Sequence, residues 1–328
     1  MLLIFLNLIA GFTLLIVGGE LLVRGAVRVA AALGVSPLVI GLTLVGFGTS
    51  APELVTSVQA ALSGSPGIAY GNIVGSNIAN LLLIGGVSAL LFPIAVASAS
   101  LARDGLIMLG AAAVFAALAA WMPIGRGAGA VFVALLVVYI YTTFRSERSG
   151  AVDGHGALTD KSLAPQEADP GLAPPAGPPE RVIGSLLLAS LGLLLVVLGG
   201  ARLVEGAVAL AREAGITETV IGLTIVAVGT SMPELVTSVM AALRRQSDVA
   251  FGNIVGSNIY NILGIGGVTA LIAPSEVPAA IVGFDNLVMI AVSGLFVIMA
   301  WTGLRIARWE GATLLAGYGA YVWAIWPV

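Results

Sequence analysis

Gly46-Phe47-Gly48-Thr49-Ser50-Ala51-Pro52-Glu53 decides the reading of this chain, because it returns as Ala227-Val228-Gly229-Thr230-Ser231-Met232-Pro233-Glu234. Around it, residues 37–91 and 218–272 align without a gap at a constant offset of 181. Roughly two-thirds of the paired positions are identical, far more than shared apolar composition would produce. A second block, Gly71-Asn72-Ile73-Val74-Gly75-Ser76-Asn77-Ile78-Ala79-Asn80, recurs from Gly252 to Asn261. The repetition extends outward: Gly18-Gly19 and Gly25-Ala26-Val27 reappear as Gly199-Gly200 and Gly206-Ala207-Val208. The repeat unit is therefore read as a whole half of the chain, with the fourth and fifth helices of each half diverged.

Proline sets the local structure of the opening motif. Pro52 has no N–H, so the carbonyl of Gly48, four residues back, loses its helical donor, and two nearby glycines weaken the helix further. Pro233 does the same to Gly229. The expectation is a bent or broken helix with free carbonyls, tolerated at membrane depth only where it is buried in protein or lines a cavity.

Membrane depth follows from composition. The chain is 59% hydrophobic and only 9% charged over 328 residues, with a mean hydropathy of +1.07. The apolar residues fall in runs of about 20, the length that crosses a bilayer as a helix. The 43 glycines suit close helix packing in lipid. Without cysteine the chain offers neither disulfides nor thiolate metal sites. The sequence turns apolar at Leu2 with no basic segment before it, which argues for a first membrane helix and against a cleaved signal peptide.

Ten spans are expected, near 2–28, 37–61, 67–91, 103–122, 127–145, 181–212, 218–243, 248–272, 279–302 and 308–327. Residues 146–180 are polar and carry Pro165, Pro170, Pro174, Pro175, Pro178 and Pro179, the composition of a disordered linker. The fold class is thus an all-α membrane protein: two five-helix halves, 1–145 and 181–328, joined by that linker. Basic residues set the orientation. With both termini outside, Arg24, Arg28, Arg103, Arg145, Arg148, Lys161, Arg181, Arg244, Arg245, Arg305 and Arg308 fall on the cytoplasmic side, and Arg126, Arg202 and Arg212 outside. Five spans per half make the halves inverted. The uncharged turn 63–67 and its basic twin 244–248 agree. Inverted repeats are a common plan of secondary transporters, which bind at the midplane between the halves.

Each half places one acid, Glu53 or Glu234, in an apolar helix. An intramembrane carboxylate is costly and marks a functional site by default. Thr49 and Glu53 are four residues apart and share a helix face, as do Thr230 and Glu234; Ser76 and Asn80 match Ser257 and Asn261 in the same way. Four helices could aim carboxylates, hydroxyls, amides and backbone carbonyls at one point. Such hard oxygen donors suit Ca2+ or Na+, and two carboxylates balance one Ca2+. Taken singly, a Ser or Thr in a membrane helix usually bonds its own backbone, and an Asn often bonds across helices as a packing device. Gly71, Gly75, Gly252 and Gly256 read as packing positions. Glu20, Arg24, Arg202 and Glu205 read as ion-paired or interfacial, Asp104, Asp285 and Asn286 as helix-end residues, and His155, with Asp153 and Asp160, as part of the solvated linker.

With Gly-Thr-Ser-x-Pro-Glu and Gly-Ser-Asn-Ile-x-Asn both present twice, the chain resembles the sodium/calcium exchanger family of the cation/calcium exchanger superfamily, over nearly its whole length. The resemblance implies a prokaryotic-type antiporter with ten helices, both termini outside, that exchanges Ca2+ for Na+, usually three Na+ per Ca2+ and so electrogenic. Position by position, it implies that Glu53 and Glu234 are shared Ca2+ and Na+ ligands, and that Thr49 and Thr230 add oxygens to the Ca2+ site, largely as carbonyls. Ser50, Ser231, Ser76 and Ser257 would serve flanking Na+ sites with carbonyls from Gly46 and Ala227, and Asn80 and Asn261 would line the centre. Several microbial members and the potassium-dependent branch have Asp where this chain has Asn261. That departure argues against K+ co-transport and leaves the Na+ ratio open. The linker carries none of the calcium-sensing domains of the animal exchangers. No cofactor, nucleic-acid partner or obligate protein partner is implied, only the transported ions and the bilayer.

Three other readings compete. A proton/calcium antiporter of the same superfamily would carry H+ on the carboxylates, although serine hydroxyls can coordinate Na+ and add nothing to proton exchange. A cation channel can also contain broken helices and acids, but a duplicated inverted site suits alternating access better. An intramembrane enzyme lacks support: there is no paired Asp motif, Ser/His set or zinc-ligand cluster, and the single histidine lies outside the spans.

Overall fold

The computed structural model describes residues 2–97, 101–152, 182–213 and 227–325. It is a helical membrane protein. The helices are α1 (Leu2–Leu33), α2 (Pro37–Thr49), α3 (Ala51–Leu62), α4 (Pro66–Leu91), α5 (Leu101–Trp121), α6 (Arg126–Val152), α7 (Val182–Glu213), α8 (Ala227–Thr230), α9 (Met232–Leu243), α10 (Ser247–Ile272), α11 (Ile281–Gly303) and α12 (Arg308–Ile325). Each expected span has a helical counterpart here. Residues 218–226 of the seventh span, the linker from 153 onward and His155 lie outside the described residues.

One expected boundary shifts. Helix α6 runs on to Val152, so the first residues of the segment read as disordered linker from 146 are helical. Among the described residues, seven helices are long and apolar enough to cross a membrane, eight when the bent pair α2–α3 counts as one span. Helix α12 falls short because Arg308 and Glu310 open it, and Glu310 is spent as a cap, accepting from the Ala307 N–H at 2.7 Å. Helix α9 is too short taken alone.

Helices α4 and α10 form the centre: 78% and 83% of their membrane-length windows are buried, against 28–39% for α1, α5, α6, α7 and α11. Their partners are chosen by glycine. Gly252 and Gly256 bring the α10 backbone against Leu38 and Leu42 of α2. The corresponding neighbours of Gly71 and Gly75 would fall near 219–223, outside the described residues.

The long helices α1 and α7 occupy equivalent places in the two repeats and pack against each other antiparallel. Leu15 meets Gly199, Leu22 meets Gly192 and Gly25 meets Ala189. A Cβ at Gly192 would lie 2.3 Å from the Leu22 nitrogen, and one at Gly25 2.5 Å from the Ala189 nitrogen, so only glycine permits this approach. The connectors cross over reciprocally. The strand Ile94–Ala95 after α4 pairs antiparallel with Arg305–Ile306 before α12, and Ser275 after α10 bridges to Ile124 before α6. Ile94 and Ser275 are one repeat offset apart.

The peripheral charges are paired as expected. Glu20 binds Arg24 on its own helix and Arg244 at the end of α9, and Arg202 pairs with Glu205 at 3.1 Å. Asp104 is fully buried in the first turn of α5, held by Arg103 at 2.8 Å and by the Tyr139 hydroxyl at 3.2 Å. Its twin Asp285 accepts from the Tyr321 hydroxyl at 2.9 Å.

Candidate functional site: a buried oxygen cage

The two proline motifs break their helices as the sequence predicts. Helices α2 and α3 meet at Ser50 with a 43° bend, and Ser50 takes φ −81°, ψ 6°. Ser231, between α8 and α9, takes φ −89°, ψ 9°. Pro52 and Pro233 sit in the second position of the following helix, where a missing N–H costs nothing. The Ser50 N–H still makes the last regular helical bond, to the Gly46 carbonyl at 3.1 Å, and the chain bends just beyond it, where Pro52 has no N–H to give the Gly48 carbonyl. Glu53 and Glu234 therefore lie in the first turn of a new helix, beside the break.

Helices α3 and α9 each pack on both α4 and α10, which brings the two carboxylates close enough to act on each other electrostatically. Glu53 and Glu234 are 1% and 2% exposed, so neither faces lipid or bulk water. Among the described residues no basic side chain pairs with either. Their partners are hydroxyls from the opposite half. Ser50 Oγ donates to Glu234 Oε1 at 2.8 Å, and Ser231 Oγ donates to Glu53 Oε1 at 3.0 Å. Ser231 also lies 3.4 Å from Ser76 Oγ. If both carboxylates are ionised, hydroxyl donors alone leave them far from compensated, and a cation between them would supply the missing charge.

The remaining polar atoms point to the same conclusion. Glu53 Oε2, Glu234 Oε2, Asn80 Oδ1, Ser257 Oγ and both amide atoms of Asn261 are buried without a hydrogen-bond partner among the described residues. Asn80 and Asn261 stand at the wide π-helical turns Asn80–Ile84 and Tyr260–Gly266, a local form that often marks functional positions. Buried unpaired oxygens are costly in a folded protein; others lie elsewhere, on Ser88, Thr269 and Asn286 among them, but those of Glu53, Glu234, Asn80, Ser257 and Asn261 fall on residues that the spacing singled out.

Thr49 is fully buried, with its hydroxyl 3.3 Å from both the Gly46 carbonyl and Asn253 Oδ1. The Gly46 carbonyl, expected as an ion ligand, is thus engaged within its own helix by the Ser50 N–H and the Thr49 hydroxyl. Thr230 is half-buried at the end of α8, and Ala227 begins that short helix. Sequence reasoning missed Asn72 and Asn253. The Asn72 amide donates to the Glu53 carbonyl at 3.1 Å and to Ser57 Oγ at 2.9 Å; Asn253 donates to the Glu234 carbonyl at 3.2 Å and to Ser238 Oγ at 2.8 Å. The signal was present: Asn72, Ser76 and Asn80 are spaced by four, as are Asn253, Ser257 and Asn261, and so run along one helix face.

Comparison with known proteins places this arrangement. The family model described as sodium/calcium exchanger protein matches residues 3–145 and again 184–326, the second interval displaced from the first by the repeat offset. The chain is 37% identical over 342 residues to the sodium/calcium exchanger MaX1 of Methanosarcina acetivorans, covering 97% of each chain. It is also 37% identical over 316 residues to the putative antiporter CaxA of Alkalimonas amylolytica, covering 95% of each. Among solved structures it superposes on the sodium-calcium exchanger NCX_Mj, soaked with zero Na+ and Ca2+, with a TM-score of 0.82 at 31% identity over 99% of both chains.

Proposed function

This chain belongs to the sodium/calcium exchanger family, and from that premise we propose that it is a secondary antiporter exchanging Ca2+ for Na+ by alternating access, electrogenic and independent of K+. It is a transporter and not an enzyme. The observation that carries the ion assignment is the cage itself: two buried carboxylates, each hydrogen-bonded by a serine of the other half, ringed by oxygens without partners.

The chemistry follows from that geometry. Ser50 and Ser231 donate their hydroxyl hydrogens to the opposing carboxylates. A hydroxyl is also an acceptor. When a cation enters between Glu53 and Glu234, the same hydroxyls rotate and offer lone pairs, while the carboxylates neutralise the charge. One Ca2+ takes six to eight oxygens, and Glu53, Glu234, Asn80, Asn261 and carbonyls of Thr49 and Thr230 supply most of them. Na+ ions use the same carboxylates with Ser50, Ser231, Ser76, Ser257 and carbonyls of Gly46 and Ala227. Binding Na+ near Gly46 displaces the Thr49 hydroxyl from its carbonyl. Both loads cannot share the two acids, so binding is competitive, and the loaded, neutral cage is the one that is cheap to occlude.

Ten membrane spans in two inverted halves, 1–145 and 181–328, complete the reading. The antiparallel packing of α1 on α7 and the reciprocal connector pairings support it. The linker is placed on the cytoplasmic side of a prokaryotic inner membrane with both termini outside. Reconstitution into liposomes tests the proposal, with calcium flux measured under separate Na+, H+ and K+ gradients. A Na+ gradient is expected to drive saturable Ca2+ uptake that generates a membrane potential, and a K+ gradient to change nothing. Uptake driven by a pH gradient alone would replace Na+ by H+ in the assignment.

A further inference from the structure

The carboxylates of the cage are only as well placed as the backbone that carries them, and that backbone starts at a break. Helices α3 and α9 begin at Ser50 and Ser231, so Glu53 and Glu234 sit in first turns with no continuous helix behind them. Something outside those helices has to hold the first turn in register with α4 and α10.

Asn72 and Asn253 are built for that task. Each amide nitrogen carries two hydrogens, and each spends them on one helix: one on the carbonyl of the glutamate itself, the other on a serine hydroxyl one turn further along. The serines, Ser57 and Ser238, are fully buried. Ser57 in turn lies 3.4 Å from the Ala69 carbonyl of α4, which closes the bracket between the two helices. On the other half, Asn253 Oδ1 lies 3.3 Å from the Thr49 hydroxyl, so this bracket also reaches across to the opposite broken helix. Asn72 lies one turn before Ser76 and two before Asn80 on the same face of α4, and Asn253 stands likewise to Ser257 and Asn261 on α10. The residue that grips each glutamate backbone is thus rigidly joined to the other oxygens of the cage.

We propose that Asn72 and Asn253 are positioning residues, clamping the Glu53 and Glu234 main chains against the ligand stripes of α4 and α10 and so setting how tightly the cage holds Ca2+. They act through the glutamates and do not touch the ion. The inference deepens the exchanger reading and depends on it.

The test is Ca2+ uptake by the full chain in liposomes under a fixed Na+ gradient, with KM and maximal rate measured separately, together with the unfolding temperature in detergent. Asn72→Ala and Asn253→Ala are each expected to raise the KM for Ca2+ about tenfold, the weight of a lost hydrogen bond to the site, with the maximal rate within about threefold of wild type. Asn72→Asp and Asn253→Asp, which keep the shape and lose the donor, are expected to do no better. If either alanine variant cannot be recovered, Ser57→Ala and Ser238→Ala release one arm of each bracket and are expected to raise KM by a smaller factor, about threefold. An unchanged KM with a lowered unfolding temperature would overturn the proposal and leave the asparagines as packing residues. Absence of Na+-driven uptake in the wild type would instead sink the exchanger reading itself.

Discussion

The two halves agree at the cage and part company at the ends of the bundle. In the cage the contacts on the two glutamates are twinned: Ser50 on Glu234 and Ser231 on Glu53, Asn72 on Glu53 and Asn253 on Glu234, with lengths that differ by at most 0.2 Å between the halves. At one end, Glu20 of α1 gathers Arg24 and Arg244 into an ion cluster that ties α1 to the last turn of α9. The twins of those three residues are Ala201, Glu205 and Ser63, which cannot make such a cluster, and Glu205 pairs instead with Arg202 on the exposed face of α7. The difference is physically sensible. A site that serves ions arriving from either side needs the same ligands from each half, whereas the two ends of the bundle meet different surroundings. The cluster favours whichever arrangement keeps α1 against the end of α9.

Three experiments probe that contrast. The largest effect belongs to the carboxylates. Glu53→Gln and Glu234→Gln are each expected to lower Na+-driven Ca2+ uptake in liposomes at least about 100-fold, because a neutral amide cannot balance a divalent ion in a buried site. Substantial flux in one variant alone would break the equivalence of the halves. Next come the crossing hydroxyls. Ser50→Ala and Ser231→Ala each remove a hydroxyl oxygen proposed to ligate Na+, and are expected to raise the KM for Na+ by roughly tenfold, about 1.4 kcal/mol, to similar extents. A large effect in one and none in the other would mean that the geometric symmetry is not a functional one. The smallest effect is the asymmetric one. Arg244→Ala is expected to cost about 1 kcal/mol of stability, read as a fall of roughly 2–4 °C in unfolding temperature that shrinks in high salt. Ser63→Ala, at the twin position, is expected to leave it unchanged.

Much of the site could be read before any coordinates. Pro52 and Pro233 act within four residues of themselves, so the breaks at Ser50 and Ser231 follow from rules local to the chain. The cost of a carboxylate in an apolar helix is likewise a property of the residue and its surroundings, which picked out Glu53 and Glu234. Other features were not legible. The spacing of Asn72 on one helix face was visible, but the carbonyl it grips, 19 residues away on a neighbouring helix, was not. The bonds that the Gly46 carbonyl, expected as a Na+ ligand, accepts from the Ser50 N–H and the Thr49 hydroxyl were likewise seen only in the structure.

The duplication, the helical membrane character, the broken helices and the identity of the acids were thus readable from residues alone, since each depends on composition or on contacts a few residues long. Which serine meets which carboxylate, which asparagine bonds which glutamate carbonyl and where Glu20 finds Arg244 emerged with the folded chain. Those partners stand 184, 178, 19 and 224 residues apart. No local rule spans such distances. They are fixed by the packing of helices from both repeats around α4 and α10, at separations that the glycine contacts between helices allow.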